Sequence, residues 1–383
     1  MTLPAVAAAL LLLSSASCSS SQEPARTCAA PGQCLSAARA GGVPENPAAL
    51  LERMAAQQAV LLGEAHDSAE DHRWQLQVLT QLHSRRPEIA IGFEMFPRRL
   101  QAVLDQWVAG ALSEQEFLKR AEWEKVWSFD ARDYLPLFHY ARMNRIPMLA
   151  LNVERSLPEA VGKLGWDAVP EAQKEGVSRP AAPGAEYLKT LRMVFDHHPA
   201  GTRGAAAFPR FVESQTVWDR AMAQPIAVHL KARPGALVVG ILGAGHVRFG
   251  HGVAHQLGDL GIARVGTLLS WQHDDDCAGI AKGVADAVYI VKPPAASPPR
   301  LGVAMEPPKS GPGIRLASVT AGSVAEQAGL KNGDVILEVA GQPARIDLLR
   351  AIVQRLPAGT WLPLKVKRGS EDIEIVARFP PEK

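Results

Sequence analysis

Cysteine is scarce: there are four in 383 residues, at positions 18, 28, 34 and 277. No two of them form a Cys-x-x-Cys pair, which argues against a thiolate zinc site. No charge of one sign dominates either. With 41 basic and 39 acidic residues the formal net charge is +2, which gives no reason to expect nucleic acid or an acidic membrane surface as a partner. Long hydrophobic runs are also missing. The N-terminal run Ala5 to Leu13 is too short to span a bilayer, and no Lys or Arg precedes it. What remains is a chain of ordinary apolar content, 47%, long enough for two domains and a sizeable core. Its 11 histidines include several that cluster around two motifs.

The N-terminal run is followed by small residues and reads as a secretory h-region with a cleavage site. Ser15-Ala16-Ser17-Cys18 resembles a bacterial lipobox, in which the cysteine is lipidated and becomes the first residue of the mature protein. Residues 1–18 are therefore expected to be a signal peptide, Cys18 the lipidation site and residues 19–44 a tether. The chain is expected to be exported and held at the outer membrane, facing the periplasm or the surface. In an oxidising compartment Cys28 and Cys34, close in a loop-like segment, can join as a disulfide. Cys277 is then left as a buried, inert thiol.

From residue 45 to 292 short apolar runs alternate with helical patterns. Val60-Leu61-Leu62-Gly63-Glu64-Ala65-His66 and Val238-Val239-Gly240-Ile241-Leu242-Gly243-Ala244-Gly245-His246 share one form: an apolar run, then Gly-x-x-His. Between them, Ile89 to Phe93 ends in Glu94, and Met148 to Leu151 ends in Asn152. Helical patterns fall at 45–58, 67–84, 97–110, 113–122, 134–143, 208–231 and 247–260. The alternation predicts an α/β fold, a parallel or mixed sheet with helices on both faces. Residues 166–206, rich in Pro, Gly and Ala, interrupt the pattern as an inserted lid or loop region.

Ligands of such sheets lie outside the carboxyl ends of the strands. The two motifs and Glu94 reach that edge, so Glu64, His66, Glu94 and His246 form a candidate crevice. They suit general acid–base work in a hydrolase. His66, Glu94 and His246 are also donors for a divalent metal such as zinc or manganese. The plainer alternative is a buried polar network that fixes loop geometry. Asp219, following Trp218 midway along the 208–231 helix, either supports one of the histidines or is a helix-surface charge. His251 and His255 are four apart on a predicted helix, a metal-compatible spacing that more often marks solvated surface. Asp274-Asp275-Asp276 reads as a solvated turn. Phenolate is an axial ligand of ferric haem. Tyr134 and Tyr140 fall in a helical segment where core packing is the simpler role. Tyr187, with His197 and His198, lies in the insert and has more freedom.

Residues 293–299 are a stiff Pro-rich linker. Beyond them, 300–383 changes to short strands and turn residues, marking a second, mainly β domain.

Leu61 to His66, Gly92-Phe93-Glu94-Met95-Phe96, Ile146 to Asn152, Gln215-x-x-Trp218-Asp219 and Gly243 to His246 together resemble the ChaN-like family. Its members are iron-regulated, haem-binding bacterial lipoproteins of the Tiki/TraB/erythromycin-esterase-like superfamily. The resemblance implies an α/β fold over 45–292, haem as cofactor, a role in haem uptake beside outer-membrane transport proteins, and tyrosine ligation in a homodimer. It carries no ligand to a particular tyrosine, which leaves Tyr134, Tyr140, Tyr187, His197 and His198 as haem candidates. Superfamily relatives imply instead metal-dependent proteolysis or ester hydrolysis, mapped here to Glu64, His66, Glu94 and His246. Residues 300–383 resemble a PDZ domain of periplasmic proteases through Val319 to Leu330 and Lys331 to Gly341. Leu301, Gly302 and Val303 stand as the carboxylate-binding loop for a peptide or protein C-terminus, and residues 346–356 as the helix lining the groove.

Overall fold

Val60 and Leu62 join one buried cluster and Leu61 another, all three with no solvent exposure. Their strand therefore has helices on both faces, which is why it reads as an unbroken apolar run rather than an alternating one. A computed structural model describes residues 28–127, 129–197, 207–293, 300–308, 311–354 and 356–381. The expected signal peptide with Cys18, the first part of the tether, His198 and linker residues 294–299 lie outside the described residues. Two compact units are present, dividing after Pro294.

In the first unit the strands are β1 (Cys34–Ser36), β2 (Val43–Glu45), β3 (Ala59–Glu64), β4 (Ile89–Pro97), β5 (Met148–Asn152), β6 (Leu237–Gly243), β7 (Val265–Gln272) and β8 (Ala287–Val291). They form one mixed sheet in the order β2-β1-β8-β7-β3-β6-β4-β5. The strands from β8 to β5 run parallel, and β1 and β2 add antiparallel at one edge. The helices are α1 (Pro47–Ala55), α2 (Ala69–Arg85), α3 (Gln101–Val108), α4 (Glu114–Arg120), α5 (Trp123–Val126), α6 (Ala131–Met143), α7 (Ser156–Leu164), α8 (Ala185–Asp196), α9 (Ala207–Ala232) and α10 (Val253–Asp259). Trp74, Leu79 and Leu82 of α2 and Leu137 and Phe138 of α6 pack in the cluster of Val60 and Leu62. Met222, Ile226 and Leu230 of α9 and Leu257 of α10 pack in that of Leu61. The expected α/β architecture is present. No helix among the described residues is long and apolar enough to cross a membrane.

Local chemistry sets the helix starts. Asn46 caps α1 ahead of Pro47, and Ser68 caps α2 by accepting from the Asp71 N–H, each satisfying donors left open at a helix N-terminus. The helix expected over 247–260 begins only at Val253. Phe249 and Gly250 adopt left-handed backbone, at φ 59° and 64°. A Cβ at Gly252 would meet the His246 carbonyl at 2.6 Å and Asp219 Oδ1 at 2.7 Å. The chain thus breaks where α9 must approach His246. As a result His251 and His255 share no helix face. His251 packs on Phe249 and Tyr187, while His255 Nε2 donates to the Ala182 carbonyl at 2.8 Å. Asp274, Asp275 and Asp276 are exposed, as expected of a solvated turn.

Two expectations about the N-terminal segment are corrected. Residues 28–44 are not the end of a tether: β1 pairs with β8, Cys34 opposite Tyr289. The disulfide joins Cys28 to Cys277, and Cys34 is the buried free thiol. Closeness in sequence misled, because β1 turns Cys34 into the core while the Cys28 N–H bonds the His273 carbonyl beside the end of β7. Burial, then the Glu45 charge, pushes the Cys34 thiol up to about 12, so it is inert in the manner foreseen for Cys277. A Cys28→Ser, Cys277→Ser chain is expected to lose about 2–5 kcal/mol of stability, read by urea denaturation. Cys34→Ser should keep the linkage in a non-reducing peptide map.

The second unit comprises β9 (Val303–Glu306), β10 (Ile314–Val319), α11 (Val324–Gln327), β11 (Val335–Val339), β12 (Gln342–Pro343), α12 (Ile346–Val353), β13 (Trp361–Arg368) and β14 (Glu371–Arg378). Its antiparallel sheet has the order β14-β13-β11-β10-β9, with β12 on β11. β9 ends the sheet and follows directly on Leu301-Gly302. Gly302 has φ 82°, and a Cβ there would come within 2.2 Å of Ser323 Cβ, so only glycine fits this turn.

Candidate active site and ligand crevice

The carboxyl ends of β3, β6 and β4 lie side by side. Glu64 pairs in register with Gly243, and Phe93, just before Glu94, with Ile241. The two Gly-x-x-His turns are therefore neighbours rather than opposite banks. The pairing of β4 with β5 shifts register between Phe93 and Pro97, across the stretch that carries Glu94. The Gly243 N–H donates to Glu94 Oε2 at 2.6 Å. A Cβ at position 243 would lie 2.9 Å from His66 Cε1 and 3.5 Å from Glu94 Oε2. The glycine is thus what lets the His66 ring approach the β6 backbone.

Each motif histidine is held in the same way. His66 Nδ1 donates to Glu64 Oε1 at 2.9 Å, and that oxygen also accepts the Tyr134 hydroxyl at 2.8 Å. His246 Nδ1 donates to Asp219 Oδ1 at 2.7 Å, and Asp219 Oδ2 accepts the Tyr187 hydroxyl at 2.8 Å. Two tyrosine–carboxylate–imidazole chains flank Glu94, whose Oε1 stands 3.7 Å from His246 Nε2. His72 Nδ1 adds a contact to Glu64 Oε2 at 2.8 Å. Asp219 thus supports a histidine as foreseen, rather than lying on the helix surface. His72 and the carboxylate-binding roles of Tyr134 and Tyr187 escaped sequence reasoning, since each side chain arrives from a separate helix.

The charges follow from this arrangement. Burial alone would lower the His246 pKa, but the Glu94 charge and the Asp219 hydrogen bond outweigh it and raise it to about 9. His66 is raised in the same way, burial being outweighed by its bond to Glu64 and the Glu94 charge; so is His72, through Glu64. Burial pushes the Glu64 carboxyl up, and its bonds from His66 and His72 bring it below the ordinary value. The raised imidazoles contribute stability that is complete below their unfolded value near 6.5 and lost as pH rises through the folded one. Glu64 contributes stability present above its ordinary value of 4.5 and lost as pH falls through the lowered one. His246→Gln is therefore expected to flatten the fall in urea midpoint between pH 7 and roughly 9, while leaving the acid limb in place.

Among the described residues, no group of three or more His, Cys, Asp or Glu is arranged to hold a metal ion. The expected set of His66, Glu94 and His246 does not assemble as one. Both Nδ1 atoms are held by carboxylates, which leaves Nε2 as the free ring nitrogen of each histidine, and Glu94 Oε2 accepts from the Gly243 N–H.

Beside the histidines opens a crevice of about 760 Å³ lined by β4, β5, α5, α7, α8 and α9, within the range of small-molecule sites. Trp127, Val153, Phe195, Phe211 and Trp218 wall it, and Lys125 and Arg155 are its cations. The two indoles also face the imidazoles: Trp127 meets His66 edge-on with ring centres 4.7 Å apart, and Trp218 meets His246 at 5.3 Å. Asn152 joins the two regions, accepting from Trp218 Nε1 and donating to the Glu94 carbonyl, both at 2.9 Å.

The tyrosines expected as haem candidates do not line this crevice. Tyr134 and Tyr187 are buried and engaged as above. Burial, then the neighbouring carboxylate charge, raises both phenols strongly and opposes phenolate. Tyr187, expected to be the freer, is thus fixed. Tyr140 pairs with His83 Nδ1 at 2.8 Å. His197 is exposed at the end of α8, its Nδ1 donating to the Met193 carbonyl at 2.7 Å.

Residues 50–257 match the model of the haem-binding uptake family of the Tiki superfamily, ChaN. The chain belongs to the ChaN family. A solved ChaN of Campylobacter jejuni, described by its cofacial haem binding, is 18% identical, with 68% of this chain and 97% of that one covered at a TM-score of 0.54; the two share a fold. Residues 315–368 of this ChaN-family chain match the PDZ domain model, so the second unit is a PDZ domain. The HtrA3 PDZ domain bound to the phage-derived ligand FGRWV is 26% identical, covering 22% of this chain and 84% of that one at a TM-score of 0.19. No curated protein matches the chain.

Proposed function

We propose that this ChaN-family chain binds haem in the crevice beside His66 and His246. We further propose that it does so as an exported lipoprotein in haem uptake, anchored through Cys18, while its PDZ domain recruits a protein partner by its C-terminus. The crevice carries the reading. Its volume, its aromatic walls and its two cations suit a planar apolar ring bearing carboxylates. When bound, haem would supply redox-active iron; this chain's residues supply the slot, with Trp127 and Trp218 against the ring faces and Lys125 and Arg155 at its carboxylates. The macrocycle fits, whereas no tyrosine is placed to reach its iron. A haem titration of the full chain tests the reading: saturable quenching of tryptophan fluorescence at one haem per chain is expected. Quenching that stays unsaturated and insensitive to the double variant Trp127→Ala, Trp218→Ala would remove it.

For the PDZ domain the expected mode is strand addition along β9, with the peptide carboxylate at Leu301-Gly302-Val303 and its side chains against α12. Export, anchoring, partners in the outer membrane and a homodimer follow the sequence motifs and the family.

One observation favours a second reading. His246, oriented by Asp219 and close to Glu94, is an acid–base pair of the kind hydrolases use. Glu64, His66, Glu94 and His246 would then be catalytic. Hydrolysis of ester or peptide substrates that survives EDTA treatment and is lost in His246→Ala would favour it over haem binding and over the metal-dependent form.

A further inference from the structure

The family resemblance implies a tyrosine ligand to haem iron, and this chain has only four tyrosines, at 134, 140, 187 and 289. All four are accounted for. Tyr134 gives its proton to Glu64 and Tyr187 to Asp219, both in the protein interior. Tyr140 pairs with His83 of α2. Tyr289 accepts from Gln77 Nε2 at 3.2 Å and lines a separate cleft of about 190 Å³ between α1, α2 and the sheet. A second copy of the chain would bring only the same four. Freeing Tyr134 or Tyr187 would strip a buried carboxylate of a hydrogen bond, a change that costs on the order of 1–3 kcal/mol before any ligand is gained.

The crevice wall itself contains no Tyr, His or Cys among the described residues. Its one thioether, on Met95, is 1% exposed and packed in the core. By contrast, the features that would hold an organic ring are well developed. Aromatic side chains come from three different segments, and Lys125 on α5 and Arg155 just before α7 are exposed at the crevice. Arg155 in particular presents a planar fork suited to a carboxylate.

We propose that the crevice recognises the porphyrin ring and its carboxylates with no ligand to the metal among its described residues, so that metal-free protoporphyrin occupies it as readily as haem. The ligand class is then a planar, amphipathic tetrapyrrole dianion rather than an iron complex. This rests on the haem-binding reading given above and narrows it. It also gives the two carboxylate-bound tyrosines a positioning role toward His66 and His246 in place of a role toward iron.

The test uses the full chain and three probes: ferric protoporphyrin, zinc protoporphyrin and metal-free protoporphyrin, each titrated by tryptophan quenching. The three dissociation constants are expected to agree within about threefold, a difference smaller than one hydrogen bond supplies. Lys125→Glu with Arg155→Glu should weaken all three together, by about tenfold or more. Tyr134→Phe, Tyr140→Phe, Tyr187→Phe and Tyr289→Phe should each leave the ratio of haem to metal-free affinity unchanged, even where the variant lowers stability. A preference for haem of tenfold or more over the metal-free ring overturns the proposal. If that preference vanishes in one Tyr→Phe variant, or in His197→Ala with His198→Ala, it also identifies the ligand. Failure of all three probes to bind removes the haem-binding reading and this inference with it, whereas metal-dependent binding removes this inference alone.

Discussion

Replacing Glu64 with alanine is expected to destabilise the chain by about 3–5 kcal/mol, the cost of breaking a buried charged pair by removing one partner. Glu64 is buried, and its two oxygens serve Tyr134, His66 and His72. Without it, the buried Tyr134 phenol keeps only the His66 carbonyl, the buried His72 imidazole loses its charged partner and keeps Gln75 Oε1 and the His66 carbonyl, and His66 loses the bond that orients it. Glu64→Gln keeps one carbonyl acceptor, so its cost should be smaller, and it should shift His72 most, since burial alone lowers that group and the carboxylate is what raises it. Urea denaturation of the two variants at pH 6 and pH 8 measures both effects. The Ala variant should lose more at pH 6, where the imidazoles are protonated in the folded chain. Equal midpoints for wild type and Glu64→Ala would show that the cluster holds no net stabilising charge.

The main outline of this site was legible in the sequence, and the reason is geometric. In a parallel sheet every strand delivers its last residues to one edge. The runs ending at Glu64, Glu94, Asn152 and Gly243 were each long and apolar enough to be recognised as strands. Their side chains meet because neighbouring strands are in register. Partners brought by helices were harder to read. Asp219 was legible as one of two options because it follows Trp218 in a helix that must cover the sheet. His72, one residue after the acidic Asp71 near the start of α2, carries no local mark of its burial. Tyr187 was misread for a physical reason: a Pro- and Gly-rich stretch suggests freedom, yet α8 packs its Tyr187 and Leu191 against Val212 of α9. The crevice was illegible altogether. Lys125, Arg155, Phe195 and Phe211 come from separate segments, and only the folded chain brings them together. Cysteine pairing failed similarly, since Cys28 and Cys277 are 249 residues apart and proximity along the chain favoured the wrong partner.

Asp219→Asn separates the two functional readings most sharply. The amide oxygen can still accept from His246 Nδ1 and the amide can still face the Tyr187 hydroxyl, so the shape is kept while the charge is lost. The His246 pKa should fall from about 9 toward the imidazole range, read from the ring resonances in an NMR titration. If the crevice performs acid–base hydrolysis, turnover should drop by roughly 10³–10⁴-fold, the scale of losing a carboxylate that orients and charges a catalytic imidazole. If the crevice holds a porphyrin, affinity should change by less than about threefold, because Trp127, Trp218, Lys125 and Arg155 are untouched. Unchanged hydrolysis beside a lowered His246 pKa would exclude the acid–base role, since the group would then have lost its tuning without consequence. A porphyrin affinity that falls by tenfold or more would instead show that the Asp219–His246 pair is part of the ligand wall, acting through the Trp218 ring that packs against His246.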